Sequence, residues 1–125
     1  MKQNKGFTLI EMLVVVGMIG VLAAAVLTAL GPSRQKARDS RVISGLNQAA
    51  AIAESKFDGS SYPATIDATI EADIKKFNNN QNVTYTAPAN TGTFAISSPL
   101  PSGGAFCVDS AGKRASSTAS NGICP

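Results

Sequence analysis

The hydropathy pattern of the chain has two regimes. From Phe7 to Leu30, 21 of 24 positions are apolar or glycine, and Glu11 is the one charged residue among them. As a helix rising about 1.5 Å per residue this run reaches roughly 36 Å, enough to cross a hydrocarbon core of about 30 Å. Beyond Pro32 the apolar positions become spaced: Ile43, Leu46, Ala50, Ala53 and Phe57 recur at intervals of three and four, with Val42 and Ala49 beside them. Arg34, Arg38, Arg41, Gln48 and Lys56 fall mostly on other faces. This spacing predicts an amphipathic helix that lays one stripe on a globular domain.

Breaks in the pattern divide the rest. Gly31-Pro32 ends the apolar run, and Pro32 removes the backbone donor that would reach Thr28, so a kink is expected there. Gly17 and Gly20 share a helical face, where small residues either admit a neighbouring helix or are simply tolerated. Asp58-Gly59 is expected to close the long helix. A second helix is expected over Asp67–Phe77, with Ile66, Ile70, Ile74 and Phe77 on one face, Asp67 as N-cap and Lys75-Lys76 at its C-terminal end. Alternating runs at Asn82–Ala87, Gly92–Ser97 and Ala105–Asp109 read as strands, separated by Pro88, Pro99, Pro101 and Gly103-Gly104. Ala111-Gly112 turns into a last weak strand around Lys113–Ala115. The expected fold is α+β: a long N-terminal helix, half membrane-type and half amphipathic, packed on a small antiparallel sheet of three or four strands.

Composition narrows the function. At 125 residues the chain has room for one small globular domain after its apolar segment. Formal net charge is +3, but two of the eleven basic side chains, Lys2 and Lys5, precede the apolar run. Without them nine basic residues face eight acidic ones, so the charge does not argue for nucleic-acid binding. The chain has no His, which removes the usual base of a nucleophilic triad and the commonest metal ligand. Glu71 and Asp73 sit among lysines on the short helix, Asp58-Gly59-Ser60 is too short for an EF-hand loop, and Gly103-Gly104 lacks a phosphate-loop Lys. No catalytic residue, metal or cofactor is expected.

The N-terminus carries the most specific signal. Residues 1–6, MKQNKG, are a short basic leader, and Phe7, Thr8, Leu9, Ile10 and Glu11 follow it directly. A conventional signal peptide with a cleavage site at Ala23–Ala25 is the rival reading. It requires an apolar stretch of about 7–15 residues, shorter than this one, and leaves Glu11 unexplained. The Gly6-Phe7 junction with a Glu four residues further on resembles the type IV prepilin signature. Membership of the type IV pilin and pseudopilin family implies cleavage between Gly6 and Phe7 by a prepilin peptidase that also N-methylates Phe7. It implies three segments: the leader at 1–6, a transmembrane and polymerisation helix at 7–31, and a pilin head at 32–125.

The resemblance also supplies a partner for Glu11. Cleavage frees the Phe7 α-amino group, whose ordinary pKa of about 7.7–8 leaves it largely protonated. In lipid, that ammonium and the Glu11 carboxylate of a neighbouring copy neutralise each other, and a subunit out of register leaves both charges unpaired. The expected function is therefore a structural subunit, anchored in the inner membrane and then polymerised with copies of itself into an extracellular filament. The filament would serve adhesion, twitching motility or DNA uptake. A pseudopilin or minor pilin of a secretion or competence system is the alternative. Expected partners are the peptidase, assembly-platform proteins and the membrane; nothing in the chain supports DNA as one.

Two features complete the reading. Cys107 and Cys124, the only cysteines, lie beyond the apolar run, and in an exported domain they are expected to pair. They resemble the disulfide-bounded region of type IV pilins and favour a pilin over the major pseudopilin of type II secretion, which usually lacks the pair and binds calcium there. Arg34, Lys36, Arg38 and Arg41 follow the apolar run, so a positive-inside count does not favour a cytoplasmic N-terminus. Lipid headgroups, neighbouring subunits and plain solvation all fit that cluster.

Overall fold

A computed structural model describes residues 6–125. Most of the expected leader, residues 1–5, lies outside that range. The first helix, α1, runs Leu9–Ser55 with Pro32 inside it, so the helix continues through the Gly31-Pro32 pair. The chain divides into two compact units between Arg34 and Gln35.

In the first unit every described residue is exposed, including Leu13, Val16, Ile19, Leu22 and Leu27. One stretch of α1 meets the length and hydropathy needed to cross a membrane, and none of that window is buried within the chain.

The second unit holds the core. Val42, Leu46, Ala49, Ala50 and Ala53 of α1 pack with Ile74, Phe94, Ile96 and Val108. The stripe is rotated from the expected one: Val42, Gly45 and Ala49 belong to its buried face, Ile43 is only half-buried, and Phe57 is exposed. Ile43 lies one residue, about 100°, round the helix from Val42. Gly45 was invisible to hydropathy because it has no side chain to bury. Its role is close approach: a Cβ there would lie 2.6 Å from Ile74 Cγ1.

Helix α1 also ends earlier than Asp58-Gly59. The Lys56 N–H is shared between the Ile52 and Ala53 carbonyls and that of Phe57 bonds Glu54, so the last turn tightens and stops. Asp58 instead organises its own turn, accepting from the N–H groups of Ser60 and Ser61 at 2.9 and 2.7 Å. Phe57 stacks on Tyr62 at 4.6 Å, and Tyr62 meets Phe94 edge-on at 4.7 Å.

Helix α2 spans Ala68–Phe77, with Asp67 as N-cap accepting from the Thr69 N–H at 3.0 Å. Ile66, Ile70 and Phe77 pack against the main core beside Ile74, as their shared face predicts. After it, Asn79 and Asn80 take left-handed φ values of 61° and 59° and turn the chain. Four strands follow, β1 Thr84–Thr86, β2 Ala95–Pro99, β3 Ala105–Asp109 and β4 Arg114–Ala115, in an antiparallel meander of order β1-β2-β3-β4. The third expected strand matches β3, while β1 is shorter than Asn82–Ala87. Strand β2 is displaced from Gly92–Ser97 towards the C-terminus: Pro99, expected as a separator, is its last residue and pairs with Ala105.

Candidate functional site

Gly6, Phe7 and Thr8 precede the helix and are exposed, Phe7 at 79% of its surface. The Gly6–Phe7 peptide bond therefore lies in accessible, non-helical chain, the form a peptidase needs. Directly behind it, Thr8 and Glu11 form a reciprocal capping box. Glu11 Oε2 accepts from the Thr8 N–H and from Thr8 Oγ1, each at 2.9 Å, and the Glu11 N–H donates to Thr8 Oγ1 at 3.3 Å. The sequence reading assigned Glu11 only an intermolecular role and missed this local one. The signal was present: Thr-x-x-Glu ahead of an apolar helical run is the cap pattern.

The box leaves chemistry to spare. Both donors reach Oε2, and among the described residues Oε1 accepts nothing. A carboxylate keeps its charge and further lone pairs when it caps, so a fixed anion with one open oxygen stands at the start of the apolar helix.

Cys107 and Cys124, expected to pair, are bonded, with Cα atoms 5.8 Å apart, and both are buried. With Ala95 they form a second small core, separate from the main cluster. Around it lies a polar clasp that hydropathy did not reveal. Asp109, 5% exposed, accepts from the N–H groups of Ala111, Lys113 and Cys124 at 3.1, 2.9 and 3.1 Å. Lys113 Nζ donates to the Cys124 carbonyl at 3.0 Å, and buried Ser97 Oγ accepts from the Ala119 N–H at 2.9 Å. Gly122 seals the loop at φ 78°, where a Cβ would lie 2.8 Å from Pro88 Cδ. The serine-rich C-terminal segment is thus tied down by backbone bonds as well as by sulfur.

Comparison with known proteins shows what the chain is similar to. A model described as the prokaryotic N-terminal methylation motif matches residues 1–27. The chain is 35% identical over 109 residues to the type IV wide pilus major component PilA4 of Thermus thermophilus, covering 86% of this chain and 73% of that protein. It is 39% identical over 66 residues to the type II secretion system core protein G of Klebsiella pneumoniae, covering 52% of this chain and 47% of the other. No solved structure matches significantly. With a methylation motif at its head, a similarity to a pilus component through most of its length, and a long helix beside a four-stranded antiparallel sheet, the chain belongs to the family of type IV pilins and pseudopilins.

Proposed function

We propose that this protein is the structural subunit of a type IV pilus: cleaved between Gly6 and Phe7, N-methylated on Phe7, and polymerised through residues 7–31 into an extracellular filament. The observation that carries the reading is the first unit, an apolar helix with no buried residue and a single fixed carboxylate at its start. Such a surface is stable only in lipid or against other apolar helices, so the molecule alternates between membrane and polymer. On this reading residues 32–125 are the exported head, and no step of the function is catalytic. The inner membrane holds the subunit before assembly, and the processing peptidase and assembly platform are its transient partners.

Glu11 has two separable jobs on this reading. Its Oε2 caps the helix, and its charge pairs with the Phe7 ammonium of a neighbouring copy. Glu11→Gln separates them, because an amide oxygen still accepts from Thr8 while the charge is gone. Filament yield is expected to collapse in both Glu11→Ala and Glu11→Gln, with cleavage after Gly6 continuing in each. Wild-type filament yield from Glu11→Gln would reduce Glu11 to a cap and remove the register role.

A pseudopilin role is the second reading, favoured by the similarity to the secretion core protein. The bonded cysteine pair weighs against it. Abundant sheared filaments built of this subunit support the pilus; processed subunit confined to the membrane fraction supports the pseudopilin.

A further inference from the structure

Asn47, Ala50, Ala51 and Glu54 recur along α1 at spacings of three and four, and together they form one wall of a groove of about 240 Å³ in the second unit. The turn between β3 and β4, with Gly112 and Arg114, forms the other wall, and buried Phe94 and Val108 close the floor. Opposite charges stand at the two ends, and both are held in place. Asn47 donates to the Ile43 carbonyl at 2.9 Å, and its Oδ1 accepts from Arg114 Nε at 3.2 Å, which lays the guanidinium at that end. Two helical turns, about 10 Å, further along α1, Glu54 Oε2 accepts from the Tyr62 hydroxyl at 2.9 Å. Among the described residues neither Arg114 nor Glu54 has an ion-pair partner, so the two Nη groups and Glu54 Oε1 keep their hydrogen-bonding capacity. Between these ends Ala50, Ala51 and Gly112 carry no side chain long enough to cross the groove.

We propose that this groove binds the carboxy-terminal lysine of an extracellular peptide, with the terminal carboxylate on Arg114 and the ε-ammonium on Glu54. An extended lysine sets those two charges about 7 Å apart, and its methylene stem lies over the small residues between the ends. The guanidinium presents a fork to a carboxylate, and a carboxylate oxygen accepts from an ammonium as a compact charge. The α-nitrogen separates a peptide from the free amino acid. The other acid in the groove, Asp109, is buried, and its two oxygens already accept from three backbone N–H groups. No carboxylate is left to compensate a free α-ammonium beside the guanidinium, whereas the amide nitrogen of a peptide bond is uncharged. The groove is also smaller than the roughly 300–1,000 Å³ of sites for drug-sized ligands, which suits one side chain. It lies wholly in the second unit and needs no polymerisation. On the proposed function that unit is exported, and the groove gives it a class of partner.

Nuclear magnetic resonance of the full chain in neutral detergent, titrated with Nα-acetyl-lysine, tests the site. Saturable shifts of the Ala50, Ala51 and Gly112 amides are expected, with a Kd of about 1 mM for a ligand of this size. The carboxamide of that probe, its ε-acetylated form and free lysine should each bind about fivefold more weakly. Arg114→Gln and Glu54→Gln should each weaken Nα-acetyl-lysine by a similar factor. Ala51→Leu, at an exposed position, should abolish binding by filling the groove, whereas Lys56→Gln, outside it, should leave the Kd unchanged. An unaltered melting temperature shows that each variant is folded. An unchanged Kd in Ala51→Leu, or equal affinity for the forms lacking either charge, would overturn the site. Tighter binding of free lysine would overturn the peptide as its occupant. So would a dimer that is lost in Ala51→Leu and untouched by Nα-acetyl-lysine, which would put a second copy in the groove. None of these readouts depends on filament yield, so failure of the site is distinct from failure of the pilus reading.

Discussion

The two units use the same apolar residues in opposite ways. Leu22 in the first unit is two-thirds exposed, and Leu46 on the same helix in the second is fully buried. The second unit satisfies its apolar surface internally, by laying α1 on α2 and the sheet. Among the described residues the first buries none of its own, so on the proposed function its stability is a property of lipid or of a polymer. The proposed function thereby divides folding from assembly: the second unit would fold as a domain, and the apolar segment would be completed by neighbours.

Paired truncations put the sharpest pressure on that division. Leu46→Ala should cost the head about 2–5 kcal/mol, read as a lowered unfolding temperature of the full chain in detergent. Leu22→Ala should leave that temperature unchanged and reduce filament yield instead. An equal drop in melting for both would mean that the units do not fold independently.

Reduction of the Cys107–Cys124 bond removes closure of a loop with a sequence separation of 17 and should cost about 3 kcal/mol on the chain-entropy account. The clasp around Asp109 predicts that the loop stays docked when reduced: the Cys124 and Lys113 amides should remain slow in hydrogen exchange. Rapid exchange there would assign the whole fixation to sulfur.

Gly45→Val drives a side chain into Ile74 and should destabilise the head by about 1–3 kcal/mol, whereas Gly17→Val, with open space around it, should not change head stability. Calorimetry of the two variants compares a closed helix face with an open one.

The smallest effect is acid-dependent. The Thr69 N–H holds Asp67 below the usual carboxylate range, and the N–H groups of Ser61 and Ser60 do the same for Asp58. Depressed folded values mean stability present above the unfolded pKa of about 3.9 and lost as pH falls through the folded values. Head stability should therefore be flat from about pH 7 to 5 and decline below about pH 4, with a shallower decline in Asp67→Asn, which still caps. A decline that begins near neutrality would point to other groups.

What was legible in the sequence follows from which forces leave a hydropathy trace. The apolar run, α2 with its Asp67 cap, and β3 were plain, because periodicity and turn residues record them directly. The rotation of the α1 stripe was hidden because its centre includes Gly45, which matters by absence of a side chain. Ser97, Ser98 and Asp109 looked exposed by type yet are buried, since each meets hydrogen-bond partners that only the folded meander supplies: Ala119 for Ser97, Asn78 for Ser98, and the 109–124 backbone for Asp109. At the N-terminus the motif pointed to Gly6, Phe7 and Glu11, whereas the capping role of Thr8 was legible in its spacing and overlooked.

On the proposed function the first unit is completed by copies of this chain after cleavage at Gly6. Mass measurement of the N-terminal peptide in filaments sheared from cells tests it most directly. An abundant peptide that begins at N-methylated Phe7 is expected; a peptide that begins after Ala25, or sheared material lacking this chain, would refute self-assembly through this unit.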